Sequence, residues 1–342
     1  MVIGIVSTAD DLHAVGVRRE LDRLGADHTL IDTGLVPARA ALSTHQIGDR
    51  WTGRWHPVDA GPDSALDLST LHAMWWRRPQ PFELPDTVRD PQDRGFAHGE
   101  CAAMVAGLWS CLDAAWVNDP DRDEIASRKM WQLRVASELG FRVPRTCMTN
   151  DPDAARAFVA GEPGAVIFKP FSGSPQTWRE TRVLGEAESG MLDQVRPAPV
   201  IFQELIPGGI DLRVTIVGTE IFPAEIRACE SAYEFDFRID TAGAPILRHE
   251  LPTKIISRLR RLMARLGLSY GAVDLRLAPN GDYVFLEINP AGQWLFVEYA
   301  TDQPISAALA QLLATVDRSR TTGSTGGRDT AHSARRSPAV AG

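Results

Sequence analysis

Lysine is scarce in this sequence: of 36 basic residues in 342, only three are lysines, Lys129, Lys169 and Lys254. Because arginine supplies positive charge almost everywhere else, a retained lysine suggests a position that needs a compact ammonium rather than a planar guanidinium. Retention by chance is the alternative, and the positions of the lysines decide between them. Lys254 lies in an arginine-rich helical segment, where a solvated face is the better interpretation.

Other absences exclude whole classes of protein. The four cysteines form no CxxC pair, which indicates reduced thiols rather than a disulfide framework. No apolar run approaches the roughly 20 residues that a membrane-spanning helix needs, and an apolar strand-like segment follows Met1 in place of a signal peptide. The net charge of −8 has no offsetting basic patch, which argues against nucleic-acid binding. We therefore expect a cytoplasmic protein with no nucleic-acid and no membrane partner.

The length predicts two or three compact units. In residues 1–118 strands alternate with helices, which predicts a parallel α/β sheet with an irregular stretch over 40–70. No GxGxxG follows the first strand, so dinucleotide binding is not indicated. Residues 119–205 form a second α/β block, and 206–316 predict an antiparallel sheet with one amphipathic helix. The polar residues 317–342 are expected to be disordered.

Two alternating strands flank Asn280-Gly281, a strong hairpin signal. With these two residues as the turn, uninterrupted pairing places Asp274 opposite Glu287, and Asn289 shares their face. Opposed carboxylates repel unless something neutralises them, and oxygen ligands of this kind suit magnesium. The alternative is an exposed polar face on an edge hairpin, which like charges in register disfavour. The pattern therefore predicts a magnesium site.

Two of the lysines occupy positions suited to phosphate. Lys129 lies on the helix that follows an Asp-Pro start, and Lys169 ends an apolar strand just before the small residues Ser172, Gly173 and Ser174. An ammonium beside a loop with free backbone N–H groups is a plausible phosphate cradle.

In this order, the features resemble those of the ATP-grasp ligases: a helix lysine, a strand-end lysine before a small-residue loop, an apolar strand ending in Gln203-Glu204, and an Asp–Glu-x-Asn hairpin. The likeness covers residues 119–300. It implies an α/β (α+β ATP-grasp) protein, in which an N-terminal pre-ATP-grasp α/β domain (1–118) precedes a two-lobed ATP-grasp fold, with a central lobe (119–205) and a C-terminal lobe (206–316). The site residues that the resemblance implies are the following: for the nucleotide Lys129, Lys169, Ser172, Gly173, Ser174, Gln203, Glu204 and Arg213, and for magnesium Asp274, Glu287 and Asn289.

The likeness is closer to one branch, the ATP-grasp maturases of ribosomally made peptides (microviridin-type ligases, or graspetide synthetases). The segments that carry it are Trp75-Trp76-Arg77-Arg78-Pro79, Lys129-Met-Trp-Gln-Leu-Arg134, Glu225-Ile-Arg227, Asp236-Phe-Arg238 and Asn289-Pro-Ala-Gly-Gln293-Trp294. The resemblance implies an enzyme that uses ATP and Mg²⁺ to activate Asp or Glu side chains of a precursor peptide as acyl-phosphates. Ester or amide crosslinks to Ser, Thr or Lys then form within that peptide.

Within this scheme Lys169 and Arg213 are the predicted catalytic residues, since with magnesium they would neutralise the developing charge. Arg227 and Arg238 are candidates for holding the acidic core peptide, because a guanidinium matches a carboxylate bidentately. Routine surface ion pairs are the alternative for these two. The precursor peptide, with its leader and acidic core, is the expected partner, and we expect a homodimer or higher homo-oligomer.

Two other functions remain open on the sequence alone. The chain could add free amino acids to a protein or peptide terminus, as related ribosomal-protein glutamate ligases do. It could also be a pseudoenzyme that binds a nucleotide and a peptide leader without catalysis, although the complete set of lysines and metal ligands counts against this.

Overall fold

The computed structural model describes residues 2–59, 64–171, 181–208, 210–227 and 244–323, with side chains up to residue 318. No helix within these ranges is long and apolar enough to cross a membrane. The described strands form a parallel sheet and a small antiparallel sheet in the N-terminal unit, followed by one antiparallel sheet in the central lobe and one in the C-terminal lobe. The predicted α/β class is confirmed.

The N-terminal unit is built on a four-stranded parallel sheet of order β2-β1-β6-β7. Its elements are β1 Val2–Val6, α1 Leu12–Arg23, β2 His28–Ile31, β3 Ala40–Ile47, β4 Arg50–Pro57, β5 Leu66–Asp67, β6 Leu71–Trp76, α2 Pro91–Cys111 and β7 Ala115–Val117. The two helices begin after Asp11 and Asp90, whose carboxylates accept hydrogen bonds from main-chain N–H groups of the first turn. These aspartates satisfy helix donors that would otherwise lack partners.

The stretch predicted to be irregular over 40–70 is instead largely strand. β3 and β4 pair along their whole length, and Ile47 opposite Arg50 leaves a two-residue turn at Gly48-Asp49. Gly48 has a φ of +65°, a conformation that glycine adopts without steric cost. The signal was present, because a Gly-Asp pair between alternating segments is typical of a hairpin. The many polar, glycine and proline residues around it concealed the alternation.

The central lobe contains a four-stranded sheet of order β10-β9-β11-β8. Its elements are α3 Pro120–Ser127, α4 Lys129–Glu138, β8 Thr146–Thr149, α5 Pro152–Gly161, β9 Val166–Lys169, β10 Arg182–Val183, α6 Glu186–Ser189 and β11 Val200–Glu204. One face of the sheet packs on α5, with Ala155, Val166 and Phe202 in the buried cluster. The other face is therefore left for Lys169 and Gln203, which alternate with these residues.

The C-terminal lobe is a five-stranded antiparallel sheet of order β14-β13-β12-β15-β16. Its elements are β12 Ile210–Val217, β13 Glu220–Ile226, β14 Ile246–Arg248, α7 Thr253–Leu266, β15 Tyr270–Leu277, β16 Tyr283–Asn289, α8 Leu295–Thr301 and α9 Ile305–Gly323. The predicted amphipathic helix is confirmed as α7, which buries Ile255, Leu259, Leu262, Met263 and Leu266 against the sheet. It ends at Gly267, whose φ of +72° is left-handed.

A single hydrophobic core joins the N-terminal unit to the C-terminal lobe. Ile5 and Leu21 of the first unit share it with Trp294, Leu309 and Leu313, all of which are fully buried or nearly so. Helix α9 packs on α1 and on β6, and it continues to Gly323. The tail predicted to begin at residue 317 is therefore helical through residue 323.

Candidate active site

The predicted metal-binding residues lie on the hairpin of β15 and β16. Asp274 is directly opposite Glu287, and Asn289 is opposite Ala272. Because side chains of one strand alternate between faces and directly opposed residues share a face, both carboxylates and the Asn289 amide belong to one face of the sheet. The predicted juxtaposition of the carboxylates is confirmed, and their role as metal ligands stays a prediction.

The turn of this hairpin differs from the prediction. The Ala278 N–H donates to the carbonyl of Asp282 over 2.9 Å, so Asn280-Gly281 is not a two-residue turn. Gly281 has a φ of +86°, which is typical of a three-residue turn that ends in a left-handed residue. Pairing therefore starts one position away from the register that the sequence predicted.

A bulge then restores the predicted pair. Leu277 pairs with Tyr283, but the register shifts by one residue further along, so that Leu286 has no partner in β15 and Asp274 faces Glu287. Continuation of the register at the turn would have placed Leu286 opposite Asp274. Bulges of this kind redirect side chains and are frequent next to active sites. The prediction therefore missed both the three-residue turn and the bulge, and these two one-residue shifts compensate each other at Asp274 and Glu287.

Each carboxylate has a cationic partner. Arg213, opposite Asp274 on β12, donates from Nη1 to Asp274 Oδ1 over 2.8 Å. On the other side Lys129 Nζ of α4 lies 3.0 Å from Glu287 Oε2. Arg213 and Asp274 are buried, whereas about a fifth of the Lys129 and Glu287 side chains is exposed. From β12 through β15 and β16 to α4 the order is Arg213, Asp274, Glu287 and Lys129, so two carboxylates lie between two cations.

The donor atoms fit magnesium. Asp274, Glu287 and Asn289 offer two carboxylates and an amide oxygen, the hard oxygen ligands that magnesium takes together with waters and phosphate oxygens. The Asn289 Oδ1 accepts from the Ala291 N–H over 3.0 Å, and an amide oxygen keeps a second lone pair. Within the described ranges no group of three or more His, Cys, Asp or Glu side chains could hold a metal ion.

A second ion pair, which sequence reasoning missed, lies beside the first. Arg276 donates from Nη1 to Asp211 Oδ1 over 3.1 Å, and both residues are largely buried. The sequence contained a signal for it: Asp-Leu-Arg occurs at 211–213 and again at 274–276. The two triplets lie opposite each other on antiparallel strands, so each aspartate faces the arginine of the other triplet.

The predicted nucleotide residues of the central lobe occupy the ends of adjacent strands. Lys169 ends β9 and is opposite Ile201 of β11. Gln203 is buried and donates from Nε2 to Thr146 Oγ1 over 2.9 Å. These contacts place both side chains on the face of the sheet that α5 does not cover, and their contact with a nucleotide stays a prediction.

Glu204 points the other way. It shares a face with Phe202, and its carboxylate accepts from Arg142 Nη2 and from the Arg145 N–H, each over 3.0 Å. A cavity of about 550 Å³ adjoins Glu204, and it is lined by central-lobe residues, by Ile206 and Pro207, and by Ala278 to Asn280 of the hairpin turn. Only the main chain of Glu204 is therefore available to the uncovered face.

The predicted substrate residue Arg227 belongs to a different face of the sheet from the carboxylates. Its guanidinium donates to Glu225 Oε1 over 2.7 Å, and Glu225 Oε2 is 3.1 Å from His249 Nδ1. Burial raises the pKa of Glu225, but hydrogen bonds from His249 and Arg227 outweigh it and leave the pKa below its ordinary value. Glu225 is opposite Leu212, on the α7 face, so Arg227 would have to leave this pair to reach a peptide beside Asp274.

The remaining predicted residues, Ser172, Gly173, Ser174 and Arg238, lie outside the described residues. The structure brings together five of the predicted residues: Asp274, Glu287 and Asn289, which the hairpin spacing predicted to share a face, and Lys129 and Arg213, which the resemblance to the ATP-grasp ligases placed at the site. It adds Asp211 and Arg276 to that face.

No family model matches the sequence. A curated relative, the probable alpha-L-glutamate ligase of Teredinibacter turnerae, is 26% identical over 199 residues. The alignment covers 54% of this chain and 62% of the length of that relative. This similarity is partial in both proteins.

Similarity to solved structures covers nearly the whole chain. Macrocyclase MdnB from Microcystis aeruginosa MRC is 30% identical, with 91% of this chain and 98% of that chain covered and a TM-score of 0.74. A RiPP-associated ATP-grasp ligase of Chryseobacterium gregarium, solved with ADP and a leader and core peptide, is 27% identical over 92% of this chain and 96% of its own, with a TM-score of 0.82. The ATP-grasp ligase PsnB, solved with minimal precursor, Mg and ADP, is 25% identical over 92% and 97%, with a TM-score of 0.75. The chain belongs to the ATP-grasp ligases, among those related to the peptide macrocyclases.

Proposed function

We propose that this protein uses ATP and magnesium to activate Asp or Glu side chains of a ribosomally made precursor peptide and to crosslink them within that peptide. The observation that carries the proposal is the row of Arg213, Asp274, Glu287 and Lys129 with Asn289 beside it. This constellation occurs in a chain that is similar over nearly its whole length to ligases solved with ADP and precursor peptides.

The reaction needs two displacements. An oxygen of the substrate carboxylate attacks the γ-phosphorus of ATP, ADP leaves, and an acyl-phosphate forms. A Ser or Thr hydroxyl, or a Lys amine, of the same peptide then attacks the acyl carbon, loses its proton, and releases phosphate. The product is an ester or an amide, and each crosslink removes one water from the mass of the peptide.

Each residue of this row has its own role in the two displacements. Asp274, Glu287 and Asn289 would hold the magnesium ion, which would supply charge neutralisation at the phosphate oxygens. Arg213 holds Asp274 in place and, with Lys169, offers positive charge toward the transferring phosphoryl group. In phosphoryl transfer such positioning and neutralisation supply most of the acceleration. We assign Lys129 to the same phosphates, because its ammonium already lies 3.0 Å from Glu287.

Further parts of the proposal rest on the sequence. Arg227, on leaving its pair with Glu225, and Arg238 bind the acidic core of the peptide. Gln203 and the main chain at Glu204 contact the adenine and ribose. The unit boundaries near residues 118, 205 and 316, a homo-oligomeric state and a cytoplasmic location belong to the same proposal. Light scattering of the purified protein tests the oligomeric state.

A second candidate is an ATP-dependent ligase that adds amino acids to a terminus, which the similarity to the probable alpha-L-glutamate ligase favours. One experiment separates the candidates: the protein is incubated with a candidate precursor peptide, glutamate, ATP and magnesium, and the peptide is weighed by mass spectrometry. Loss of one water per crosslink supports the macrocyclase. A gain of glutamate masses supports the amino-acid ligase. An unchanged mass despite ATP binding would indicate a binding protein without catalysis and would overturn the proposal.

A further inference from the structure

The main chain around Asn289 is held from outside the hairpin by three buried polar side chains. Gln132 of α4 is 1% exposed, Asn118, which follows β7, is 1% exposed, and Arg77, which follows β6, is fully buried. Gln132, Asn118 and Arg77 all contact main-chain atoms between residues 288 and 292. None of them is a predicted ligand of ATP or of magnesium.

Gln132 holds the residue before Asn289. Its Nε2 donates to the Ile288 carbonyl over 2.8 Å, and the Ile288 N–H donates to Gln132 Oε1 over 3.2 Å. A second bond from Nε2 to the Ala126 carbonyl, of 2.6 Å, fixes the amide from the other side. Because β16 is an edge strand, the Gln132 side chain takes the place that a neighbouring strand would occupy. Lys129, one turn earlier on α4, reaches Glu287 from the same helix.

Asn118 and Arg77 hold the residues after Asn289. Asn118 Nδ2 donates to the Pro290 carbonyl over 3.2 Å, and Arg77 Nη1 donates to the carbonyls of Ala291 and Gly292. Gly292 must be glycine here, because a Cβ atom at this position would lie 2.4 Å from the Ala272 Cβ. The segment therefore folds back closely over β15.

The arginine and the asparagine are themselves fixed. Arg77 Nε donates to Asp11 over 3.0 Å, and Ser7 donates to the same carboxylate over 2.9 Å. Burial raises the pKa of Asp11, but the Arg77 charge and the hydrogen bonds to this carboxylate outweigh it, so the pKa lies below its ordinary value and Asp11 is ionised. Asn118 accepts from the N–H groups of Ser269 and Tyr270, each over 2.9 Å.

The contacts of Arg77 and Asn118 with residues 290–292 indicate a role for the carboxyl edge of the N-terminal sheet. Ser7, Arg77 and Asn118 directly follow β1, β6 and β7, so they lie along the carboxyl edge of the parallel sheet. Open α/β sheets bind their ligands at this edge. In this protein the edge binds the segment 290–292 of the C-terminal lobe. Because this segment directly follows Asn289, the N-terminal sheet contacts the main chain next to the proposed metal site.

We propose that Arg77, Asn118 and Gln132 are positioning residues of the metal site, which fix the main chain on both sides of Asn289 and so hold its amide oxygen with the Asp274 and Glu287 carboxylates. The inference rests on the proposed function, since it assumes that Asn289, Asp274 and Glu287 bind the metal. Residues that orient metal ligands are worth roughly 10- to 100-fold in metal affinity.

The test compares Arg77→Lys and Gln132→Met with wild-type protein. Lysine keeps the charge beside Asp11, but its single nitrogen cannot replace both Nε, which donates to Asp11, and Nη1, which donates to the carbonyls of Ala291 and Gly292. Methionine keeps the volume of Gln132 but has no hydrogen-bond donor. Arg248→Lys is the matched control, because Arg248 also donates to two main-chain carbonyls, those of Thr301 and Asp302, away from the hairpin. The thermal midpoint of each variant shows that it is folded.

Two affinities are measured: that of Mn²⁺ in the presence of ADP, by electron paramagnetic resonance, and that of ADP without metal, by calorimetry. We expect Arg77→Lys and Gln132→Met each to weaken Mn²⁺ binding by roughly tenfold or more and to leave ADP binding without metal unchanged. Arg248→Lys should alter neither affinity. Excess Mg²⁺ should restore ATP turnover in the two site variants.

An unchanged Mn²⁺ affinity in both folded site variants would overturn the inference. So would an equal loss of ADP affinity without metal, because that result indicates a general structural role. If wild-type protein itself binds no Mn²⁺ with ADP, the proposed function fails, and the inference fails with it.

Discussion

The two faces of the C-terminal sheet are formed by the same five strands but carry side chains of different chemistry. One face carries the paired charges of Arg213, Asp274 and Glu287, while the other is covered by α7 and includes Val214 and Leu275, which are fully buried. Since strand side chains alternate with a period of two residues, each strand encodes both faces in its sequence. Substitutions of the proposed metal ligands on the first face should therefore alter catalysis, whereas substitutions of the apolar residues on the second face should alter stability alone.

The charged face contains a comparison of its own. Asp274 and Asp211 have the same exposure, 8%, and each is paired with an arginine of the opposite Asp-Leu-Arg triplet. Only Asp274 also faces Glu287 on the third strand. Identical triplets thus acquire different roles through the strand that lies next to them.

The largest effect is expected for Glu287→Gln. The substitution removes the carboxylate charge at the proposed metal site but keeps the shape of the side chain, so ATP turnover should fall by roughly 10³-fold. Steady-state phosphate release at saturating Mg²⁺ measures this. The thermal midpoint should change little, because the Glu287–Lys129 pair is partly exposed and such pairs add little stability. A fully active variant would contradict the assignment of Glu287.

The opposite outcome is expected for Leu259→Ala on the α7 face. Leu259 is fully buried, so the cavity should lower the free energy of unfolding by about 2–5 kcal/mol. Turnover per folded molecule should stay near the wild-type value. Urea unfolding and activity at low temperature measure the two quantities.

Arg260→Ala, on the exposed side of the same helix, is the control and should lower the free energy of unfolding by less than about 0.5 kcal/mol. A loss of turnover per folded molecule in Leu259→Ala would contradict the assignment of catalysis to one face and stability to the other.

The two aspartates allow a matched pair of variants, Asp274→Asn and Asp211→Asn. Each removes the carboxylate charge that pairs with a buried arginine, Arg213 or Arg276, so each should lose roughly 3 kcal/mol of stability. The loss of ATP turnover should be at least about tenfold larger for Asp274→Asn, because only that aspartate is a proposed metal ligand. Equal losses of turnover would show that both ion pairs serve the nucleotide site.

The smallest effect is a pH dependence on the α7 face. The folded-state pKa of Glu225 lies below the ordinary value of 4.5, so its stabilising contribution is complete above that pH and is lost as the pH falls toward the folded-state pKa. In Glu225→Gln the free energy of unfolding should therefore decline less steeply below about pH 4.5. Chemical unfolding at a series of acidic pH values measures the slope. A slope identical to that of wild type would show that Glu225 is not held ionised by His249 and Arg227.

Local patterns were sufficient for much of this protein. Alternation predicted β15 and β16, and the spacing of Ile255, Leu259 and Leu262 predicted α7. The order of Lys129, Lys169 and the hairpin acids resembled the ATP-grasp ligases, and the similarity to solved macrocyclases confirmed this. These features are set by neighbours in the chain, so a periodicity or a spacing is enough to detect them.

Other features depend on residues distant in sequence. The bulge at Leu286, the pairing of the two Asp-Leu-Arg triplets, and the contacts of Arg77 and Gln132 with residues 288–292 all require strands and helices to have assembled first. The sequence by itself determined which residues have the chemistry of a magnesium and nucleotide site. The tertiary structure alone decided the three-residue turn and the bulge through which Asp274 comes to face Glu287, because a register is fixed by packing and turn geometry together.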